Sequence, residues 1–342
     1  MGELSAVPLV PAVATAPETD CSLDLPTAFS GYLERTRQAL YLRLGAAPAS
    51  GLLRQYFDRG KMLRAFLVFA AAEAVGGDPE DVVTAAEAIE LLHGASLFHD
   101  DIMDHAAERR GIASLHQQLG VGQAIVVGDD LLLRAFTALA EARTRHPAGR
   151  VLEAMDVLNQ LARDCCRGQF EELYAKSWIS EEQYLDIVSC KTAAPFVAAG
   201  VMGVLLGGGT QEQVAQIRVY AQQMGIAFQI DDDLLDLVGE PGLLGKPVGN
   251  SLAEGRPMLP LIYLWRDSSE AAQAALYRLG REGCSRDELV PFLKQSGIID
   301  RVLQVRRRHR DAAIAALQNF TDSRGSHALR ALASRATGRA SW

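Results

Sequence analysis

The segment VVTAAEAIELLHGASLFHDDIMD, residues 82–104, carries the pattern that decides the fold of this 342-residue chain. Its apolar residues recur every three or four positions, which is the period of a helix with a buried face. The segment VYAQQMGIAFQIDDDLLDLVG, residues 219–239, has the same period, and alternating strand patterns are hard to find elsewhere. The sequence therefore predicts an all-α fold, a bundle of roughly ten or more helices.

The composition is that of a globular protein with enough apolar material for a sizeable core, since 49% of the residues are apolar and 22% are charged. Acidic residues outnumber basic ones 42 to 34, and no basic run is long enough to follow a phosphate backbone. The net charge of −8 therefore disfavours nucleic-acid binding. The five cysteines include no Cys-x-x-Cys pair, which argues against a zinc cluster or a disulfide framework and favours a reducing, cytoplasmic location.

The N-terminal residues 1–24 are rich in Ala, Pro and Val, but they lack a basic stretch followed by an unbroken apolar run. We therefore interpret them as a flexible tail rather than a signal peptide. No linker is evident after them, so residues 25–342 are predicted to form a single all-α domain. The longest nearly uncharged stretch, residues 192–214, is interrupted by Pro195 and several glycines, which favours a buried helix over a membrane span.

The first segment ends in an acidic cluster, Asp100, Asp101 and Asp104. In a helix, residues four apart share a face, so Asp100 and Asp104 lie together and Asp101 lies about 100° away around the axis. The C-terminal end of a helix repels carboxylates, because the helix dipole is negative there. We therefore expect cationic side chains or metal ions beside this cluster.

A second cluster, Asp232, Asp233 and Asp236, repeats the spacing of the first, and Asp231 adds a fourth charge. A solvated acidic helix end explains one such cluster more easily than two. Two carboxylate-rich faces across a cavity suit Mg²⁺, which typically binds one or two carboxylates together with substrate phosphate oxygens. Candidate cations for the remaining phosphate oxygens lie near these motifs: Arg109, Arg110, Lys61, Lys191 and Lys246.

Six strings together make the chain resemble the trans-isoprenyl diphosphate synthases of the polyprenyl synthetase family, including geranylgeranyl diphosphate synthases. The resemblance runs from about Tyr56 to the C-terminal region. The strings are RGKMLR (59–64), LLHGASLFHDDIMDHAAERRG (91–111), RGQFEEL (167–173), CKT (190–192), FQIDDDLLD (228–236) and GKPVGNSLAEGRPMLP (245–260). The resemblance implies a helical bundle around a central apolar cavity and a homodimer.

The resemblance also implies an activity, the head-to-tail condensation of isopentenyl diphosphate with an allylic diphosphate to give a trans-polyprenyl diphosphate. It implies up to three Mg²⁺ ions, with Asp100, Asp104 and Asp232 as the principal ligands. Three further aspartates would either bind the metal ions as well or hold the principal ligands in place: Asp101, Asp233 and Asp236.

Further roles follow from the resemblance. Three cations would contact the allylic diphosphate: Arg109, Lys191 and Lys246. Four side chains would hold isopentenyl diphosphate: Lys61, Arg64, His93 and Arg110. Thr192 and Gln229 match positions whose oxygens line the developing allylic cation, and Gln169 matches a polar position near the chain.

Five positions depart from the family pattern. Arg59, Met62 and Ala65 replace the usual Gly, Arg and Pro around Lys61, which puts the isopentenyl site in question. Two further departures are Ala113 for Pro and Ser251 for Asp. Three alternatives stay open: a class I terpene cyclase on the same fold, a regulatory subunit of a heteromeric synthase, and, through the His99-Asp100 dipeptide, a metal-dependent phosphohydrolase.

Product length is expected to depend on the helical turn before Asp100. Ala95 and Ser96 are both small, whereas short-chain members of the family carry a bulky aromatic side chain at one of these positions. Room beyond a C15 product favours geranylgeranyl diphosphate (C20), with C25 or longer as alternatives. The floor of the pocket is expected near Leu91 and Leu92 or near Phe136.

Overall fold

A computed structural model describes residues 27, 29–45, 49–175, 178–238, 255–269, 273 and 286–335. The predicted tail, residues 1–24, lies outside the described residues, as do Lys246 and Ser251.

Helices dominate the described part of the chain, which confirms the all-α prediction. The α-helices are α1 (Ser30–Leu44), α2 (Ser50–Asp58), α3 (Leu63–Ala74), α4 (Val83–Met103), α5 (Leu115–Leu119), α6 (Val121–Ala140), α7 (Ala148–Tyr174), α8 (Glu181–Val188), α9 (Ala194–Leu206), α10 (Gln211–Val238), α11 (Leu259–Asp267), α12 (Arg286–Gln295), α13 (Ile298–Ala315) and α14 (Arg324–Arg335). Short 3₁₀ turns cover Pro79–Val82 and Glu141–Thr144.

The core forms around α4, which packs against α3, α6 and α9. Every residue of α9 is buried, because its sequence is apolar around the whole helix. Gly203 of α9 lies against α3, and a Cβ atom there would be 2.4 Å from the carbonyl oxygen of Val68. A larger residue would therefore separate the two central helices.

One long apolar helical run passes through this core. Residues Glu181–Leu206 are long and apolar enough to cross a membrane, but 78% of their most apolar window is buried inside the fold. This burial is typical of a core helix and agrees with a buried helix within residues 192–214, but the prediction was too long, because α9 ends at Leu206 and α10 begins at Gln211. A π-helical turn, Ser189–Ala193, interrupts the run just before Pro195. Since Pro195 has no N–H, it cannot bond to the carbonyl of Lys191 four residues earlier.

A small hairpin follows α4. The chain leaves the helix through His105, which has a positive φ of 52°, and then forms the antiparallel strands β1 (Glu108–Arg109) and β2 (Ile112–Ala113). Both turn residues also have positive φ, 55° at Arg110 and 71° at Gly111, as tight hairpin turns require. The sequence pattern did not predict these strands, because two residues are too few for a visible alternation. The turn folds the predicted diphosphate-binding arginines back towards the bundle.

Candidate active site

The two acidic clusters open onto one space. A cavity of about 460 Å³ lies among α4, α7, the π-helical turn and α10, with both Asp100 and Asp232 on its wall. A smaller adjoining cavity of about 170 Å³ is also lined by Asp232. Lys191, Thr192 and Gln229 line both cavities. The fold therefore brings residues from distant parts of the sequence to one continuous pocket.

Cations lie beside the first acidic cluster, as the helix-end argument predicts. Asp101 is only 1% exposed and forms an ion pair with Arg109 of the hairpin. Lys191 Nζ lies 3.9 Å from an Asp100 carboxylate oxygen. Asp104 forms an ion pair with Arg256, which precedes α11. Each aspartate of the first cluster therefore has a cation beside it.

Burial raises the pKa of the Asp100 carboxyl above its usual value, and Lys191 opposes that shift by favouring the charged form. Asp104 and Glu172 raise this pKa further by repulsion. Four carboxylates, those of Asp100, Asp101, Asp104 and Glu172, therefore share three nearby cations, Arg109, Lys191 and Arg256. A divalent cation would relieve this repulsion.

Sequence reasoning missed two residues of this pocket, Glu172 and Arg256. Glu172 binds Lys191 in an ion pair, and Arg256 lies 4.0 Å from the same carboxylate while it also pairs with Asp104. Both line the smaller cavity. Glu172 lies three residues after Gln169 and so on nearly the same helix face, a spacing from which its position could have been inferred. Arg256 carried no such signal, because a loop residue has no periodic pattern.

In the second acidic cluster, three neutral donors hold Asp233. Asp233 is 5% exposed, and its carboxylate accepts hydrogen bonds from the Tyr184 hydroxyl at 2.7 Å, the Gln229 side-chain amide at 2.9 Å and the Leu259 backbone N–H at 3.3 Å. Burial raises the pKa of Asp233 to about 7, and these three hydrogen bonds oppose the shift. Asp233 lines the smaller cavity, where these three donors fix the orientation of its carboxylate.

Two further aspartates of this cluster, Asp231 and Asp236, are also buried. Asp236 is enclosed by the protein. Asp231 forms an ion pair with Arg306 of α13. Its charge, which the sequence pattern left unexplained, therefore serves a contact between two helices rather than the cavity.

The predicted polar lining residues are brought together. The Thr192 hydroxyl donates to the Gln229 side-chain oxygen at 2.7 Å. Gln169 is buried on the cavity wall, and its side-chain oxygen has no hydrogen-bond partner among the described residues. An unpaired buried acceptor is costly, so it marks a position where a ligand or water completes the site.

Three of the four predicted isopentenyl-site residues lie near one another. Arg64 Nη1 is 3.0 Å from His93 Nε2. Burial lowers the pKa of His93 well below its usual value, and the nearby charges of Arg64, Arg110 and Arg109 lower it further. Lys61 lies exposed in the loop between α2 and α3.

Two of the residues around Lys61 that depart from the family pattern, Arg59 and Met62, have a clear local setting in the fold. Arg59 donates from Nη1 to the Arg110 carbonyl at 3.1 Å, so it ties this loop to the hairpin. Arg110 in turn donates to the Tyr56 carbonyl at 3.2 Å, and its guanidinium lies over the Tyr56 ring at 4.7 Å. Met62 has a positive φ of 50° at the entry to α3. Arg59 therefore ties the first end of the substituted loop to the hairpin.

The two predicted chain-length residues differ in their surroundings. Ser96 lines the larger cavity. Ala95 is buried in the helical core and is not among the described residues that line that cavity, because consecutive helical residues are about 100° apart. Leu91, Leu92 and Phe136 also pack in the core. The apolar wall comes mainly from other residues: Leu97, Met103, Cys165, Phe170, Leu173, Pro195 and Phe228.

The donor set fits Mg²⁺ that arrives with a diphosphate. Across the described ranges, no three His, Cys, Asp or Glu side chains are grouped closely enough to form a ready metal cage. Asp101 nevertheless keeps one buried carboxylate oxygen without a hydrogen-bond partner among the described residues. Mg²⁺ is commonly bound by one or two carboxylates plus substrate phosphates rather than by an all-protein cage.

Comparisons with known proteins agree with this geometry. A family model described as polyprenyl synthetase matches residues 49–294. A short chain isoprenyl diphosphate synthase from Methanothermobacter thermautotrophicus is 40% identical over 216 residues, which cover 62% of this chain. The matched part spans 65% of the length of that relative.

Two further comparisons cover more of the chain. An octaprenyl diphosphate synthase from Haemophilus influenzae is 32% identical over 88% of this chain and 92% of its own length. The crystal structure of a geranylgeranyl pyrophosphate synthetase from Pyrococcus horikoshii Ot3 superposes with a TM-score of 0.84 and 31% identity, covering 91% of this chain and 98% of that one. These similar proteins are named for products of different lengths.

Proposed function

The chain belongs to the polyprenyl synthetase family, and from this premise we propose that it is a Mg²⁺-dependent prenyltransferase that condenses isopentenyl diphosphate with an allylic diphosphate. The observation that carries the proposal is the placement of Asp100 and Asp232, from two helices, on one cavity with Lys191 between the clusters. Carboxylates, a lysine and an apolar chamber are what a substrate with a diphosphate head and a hydrocarbon tail requires.

Mg²⁺ bound with the allylic diphosphate would neutralise the negative charge that builds up as the C–O bond breaks. Asp100, Asp104 and Asp232 are the proposed ligands. Lys191 and Arg256 add fixed positive charge on the same side of the pocket, and both are already held in place by Glu172. The protein thus supplies preorganised electrostatics and no nucleophile.

The allylic cation would form beside Thr192 and Gln229. Gln229 donates its amide N–H to Asp233 and accepts from Thr192, which fixes the orientation of both side chains. Pro195 and Phe228 form apolar wall nearby. Such a wall excludes water, which would otherwise quench the cation before the isopentenyl double bond attacks.

We propose that isopentenyl diphosphate is held by Lys61, Arg64, His93 and Arg110. These residues also distinguish a synthase from a terpene cyclase, which ionises a prenyl diphosphate but needs no second diphosphate site. The contact of Arg64 with His93 favours a formed second site.

The test is incubation of the protein with Mg²⁺, geranyl or farnesyl diphosphate and labelled isopentenyl diphosphate. We expect label in a longer prenyl diphosphate, and no product when Mg²⁺ is replaced by a chelator. Consumption of the allylic substrate without incorporation of label would indicate a cyclase. No turnover by the folded chain alone, with activity restored by another subunit, would indicate a regulatory partner.

We propose geranylgeranyl diphosphate (C20) as the main product, because small Ser96 leaves the turn below Asp100 open. The named relatives support a trans-prenyl product, and their different product lengths make sizing of the dephosphorylated products the deciding measurement.

We also propose a homodimer in the cytoplasm. Eight large apolar side chains are exposed on α6 and α7, and exposed apolar surface of this kind favours contact with a second subunit. They are Val121, Ile125, Val126, Leu133, Leu152, Phe170, Leu173 and Tyr174. Cys165, Cys166 and Cys190 are free thiols, which suits a reducing compartment. A monomeric mass by light scattering at micromolar concentration would contradict the dimer.

A further inference from the structure

A buried carboxylate that the proposed chemistry does not use lies beneath the predicted isopentenyl site. Glu90, on α4, is 5% exposed, and its Oε1 accepts a hydrogen bond from the backbone N–H of Ala65 at 3.0 Å. Ala65 belongs to the first turn of α3, which has no side-chain cap of its own at its first residues. A helix N-terminus leaves several N–H groups unpaired and carries partial positive charge, so a carboxylate from another helix can serve as its cap.

The hydrogen bond depends on one of the departures from the family pattern. Ala65 stands where the family usually has proline, and proline has no N–H to donate. In this chain the added N–H points to Glu90 rather than remaining unpaired. The substitution that seemed to threaten the isopentenyl site therefore adds a contact beneath it.

Glu90 also faces the cations of that site. Burial raises the pKa of the Glu90 carboxyl, and the nearby positive charges of Arg64 and Arg110 oppose this shift. His93 follows Glu90 by nearly one turn on α4 and meets Arg64 at 3.0 Å. Glu90 and His93 thus hold the start of α3 and its arginine from the same face of α4.

We propose that Glu90 is a positioning residue for isopentenyl diphosphate: it fixes the first turn of α3 against α4 and so presents Arg64 and His93 to the diphosphate. The inference rests on the proposed function of this site. If Glu90 acted only through its charge, removing that charge would increase the affinity for isopentenyl diphosphate, because a carboxylate near an anion site weakens anion binding. The direction of the change in affinity therefore separates the two roles.

Two variants test the inference. Glu90→Asp keeps the charge but withdraws the carboxylate from the Ala65 N–H, and Glu90→Gln keeps the length but removes the charge. Positioning predicts that Glu90→Asp raises KM for isopentenyl diphosphate by about tenfold or more, while kcat and KM for the allylic substrate stay within about threefold. Glu90→Gln should stay within about threefold of the wild-type KM, because its amide oxygen still accepts from the Ala65 N–H. An unchanged or lowered KM for isopentenyl diphosphate in Glu90→Asp would overturn the inference.

Glu87→Asp is the matched control. Glu87 is also buried on α4, at 2% exposure, but it binds Arg43 of α1, away from the cavity. Its shortening should lower the melting temperature and leave KM for isopentenyl diphosphate unchanged. A similar rise of KM in the control would mean that Glu90 acts only through general stability.

Calorimetric titration with isopentenyl diphosphate separates this inference from the proposed function. If the wild-type protein binds isopentenyl diphosphate but forms no product when Mg²⁺ and an allylic diphosphate are also supplied, the proposed condensation fails, and the dissociation constants of the variants still decide the role of Glu90. If the wild-type protein does not bind it at all, both proposals fail.

Discussion

The two acidic clusters share one spacing in the sequence but are stabilised in different ways. Asp100 and Asp232 occupy equivalent positions on the cavity wall. Of the residues that follow them in the chain, Asp101 is held by the charged guanidinium of Arg109, whereas Asp233 is held by a hydroxyl, an amide and a backbone N–H. The spacing therefore identifies the carboxylate that faces the cavity, but not the groups that support it.

The difference follows from where each cluster lies on its helix. The first ends α4, where unpaired carbonyls already make the environment negative and a cation is needed. The second lies inside α10, with two further residues of the helix after Asp236. The carbonyls of Asp232 and Asp233 lie four residues before positions that are still helical, so they can be paired within the helix, and Asp233 is held by neutral donors. The position of Asp101 therefore depends on a charged partner, whereas that of Asp233 depends on where its three neutral donors lie.

The largest expected effect comes from removing either cavity-facing carboxylate. Asp100→Ala and Asp232→Ala should each lower turnover by at least about a hundredfold, since each removes a proposed ligand of the metal that stabilises the leaving diphosphate. Steady-state kinetics with circular dichroism as a check on folding is the measurement. Asp311→Ala, at an exposed position of α13, is the control and should be fully active. Near-normal turnover of either folded cavity variant would contradict the two-cluster site.

A smaller effect is expected when only the neutral support of the second cluster is cut. Tyr184→Phe removes the hydroxyl that donates to Asp233 and so loosens the contact that orients Gln229. We expect kcat to fall by about tenfold with little change in either KM, because one hydrogen bond to a buried carboxylate is lost.

The matched control for this variant is Tyr263→Phe, which removes a hydroxyl bound to Glu181 outside the cavity. It should leave kcat unchanged. Equal kcat values for both variants would mean that the hydrogen bond to Asp233 does not support the reaction.

Periodicity was enough to predict α4, α10 and the aspartates that share a face, because these features repeat within one helix. The supports could not be predicted in the same way. Tyr184 and Leu259 reach Asp233 from separate segments, and only the packing of those segments brings them together. Ala95 illustrates the same limit, since its neighbour Ser96 lines the cavity while Ala95 itself joins the core.

The pH dependence of the free energy of unfolding tests how Asp233 is held in the second cluster. The pKa of Asp233 is raised by burial from 3.8 to about 7, so the folded state binds more protons than the unfolded state between these values. The contribution of Asp233 to stability is therefore present at low pH and lost as pH rises through about 7. Relative to Asp233→Asn, the wild-type free energy of unfolding should fall by roughly 1 kcal/mol per pH unit between about pH 5 and pH 7. Denaturant titrations in a chelator measure this, and a pH-independent difference would contradict it.

The smallest effect on turnover is expected from substitutions one helical turn before Asp100 and Asp232. The side chains at these two positions differ in size. Ser96 precedes Asp100 by four residues and Phe228 precedes Asp232 by four, and both line the cavity. The α4 side is therefore the open side for a growing chain, and the α10 side is already filled. A helical turn rises about 5.4 Å, comparable to one isoprene unit.

Ser96→Phe should close the open side and shorten the main product towards C15, with turnover reduced by no more than a few fold. Ala95→Phe should instead strain the core, at a cost of about 1–3 kcal/mol in stability, without the same shift in product. Chromatography of the dephosphorylated products, with Ser96→Ala as the control, measures the length. If Ser96→Phe, Ser96→Ala and the wild-type protein gave the same product, the turn before Asp100 would not limit the chain, and the bulk of Phe228 on the opposite wall would become the next position to vary.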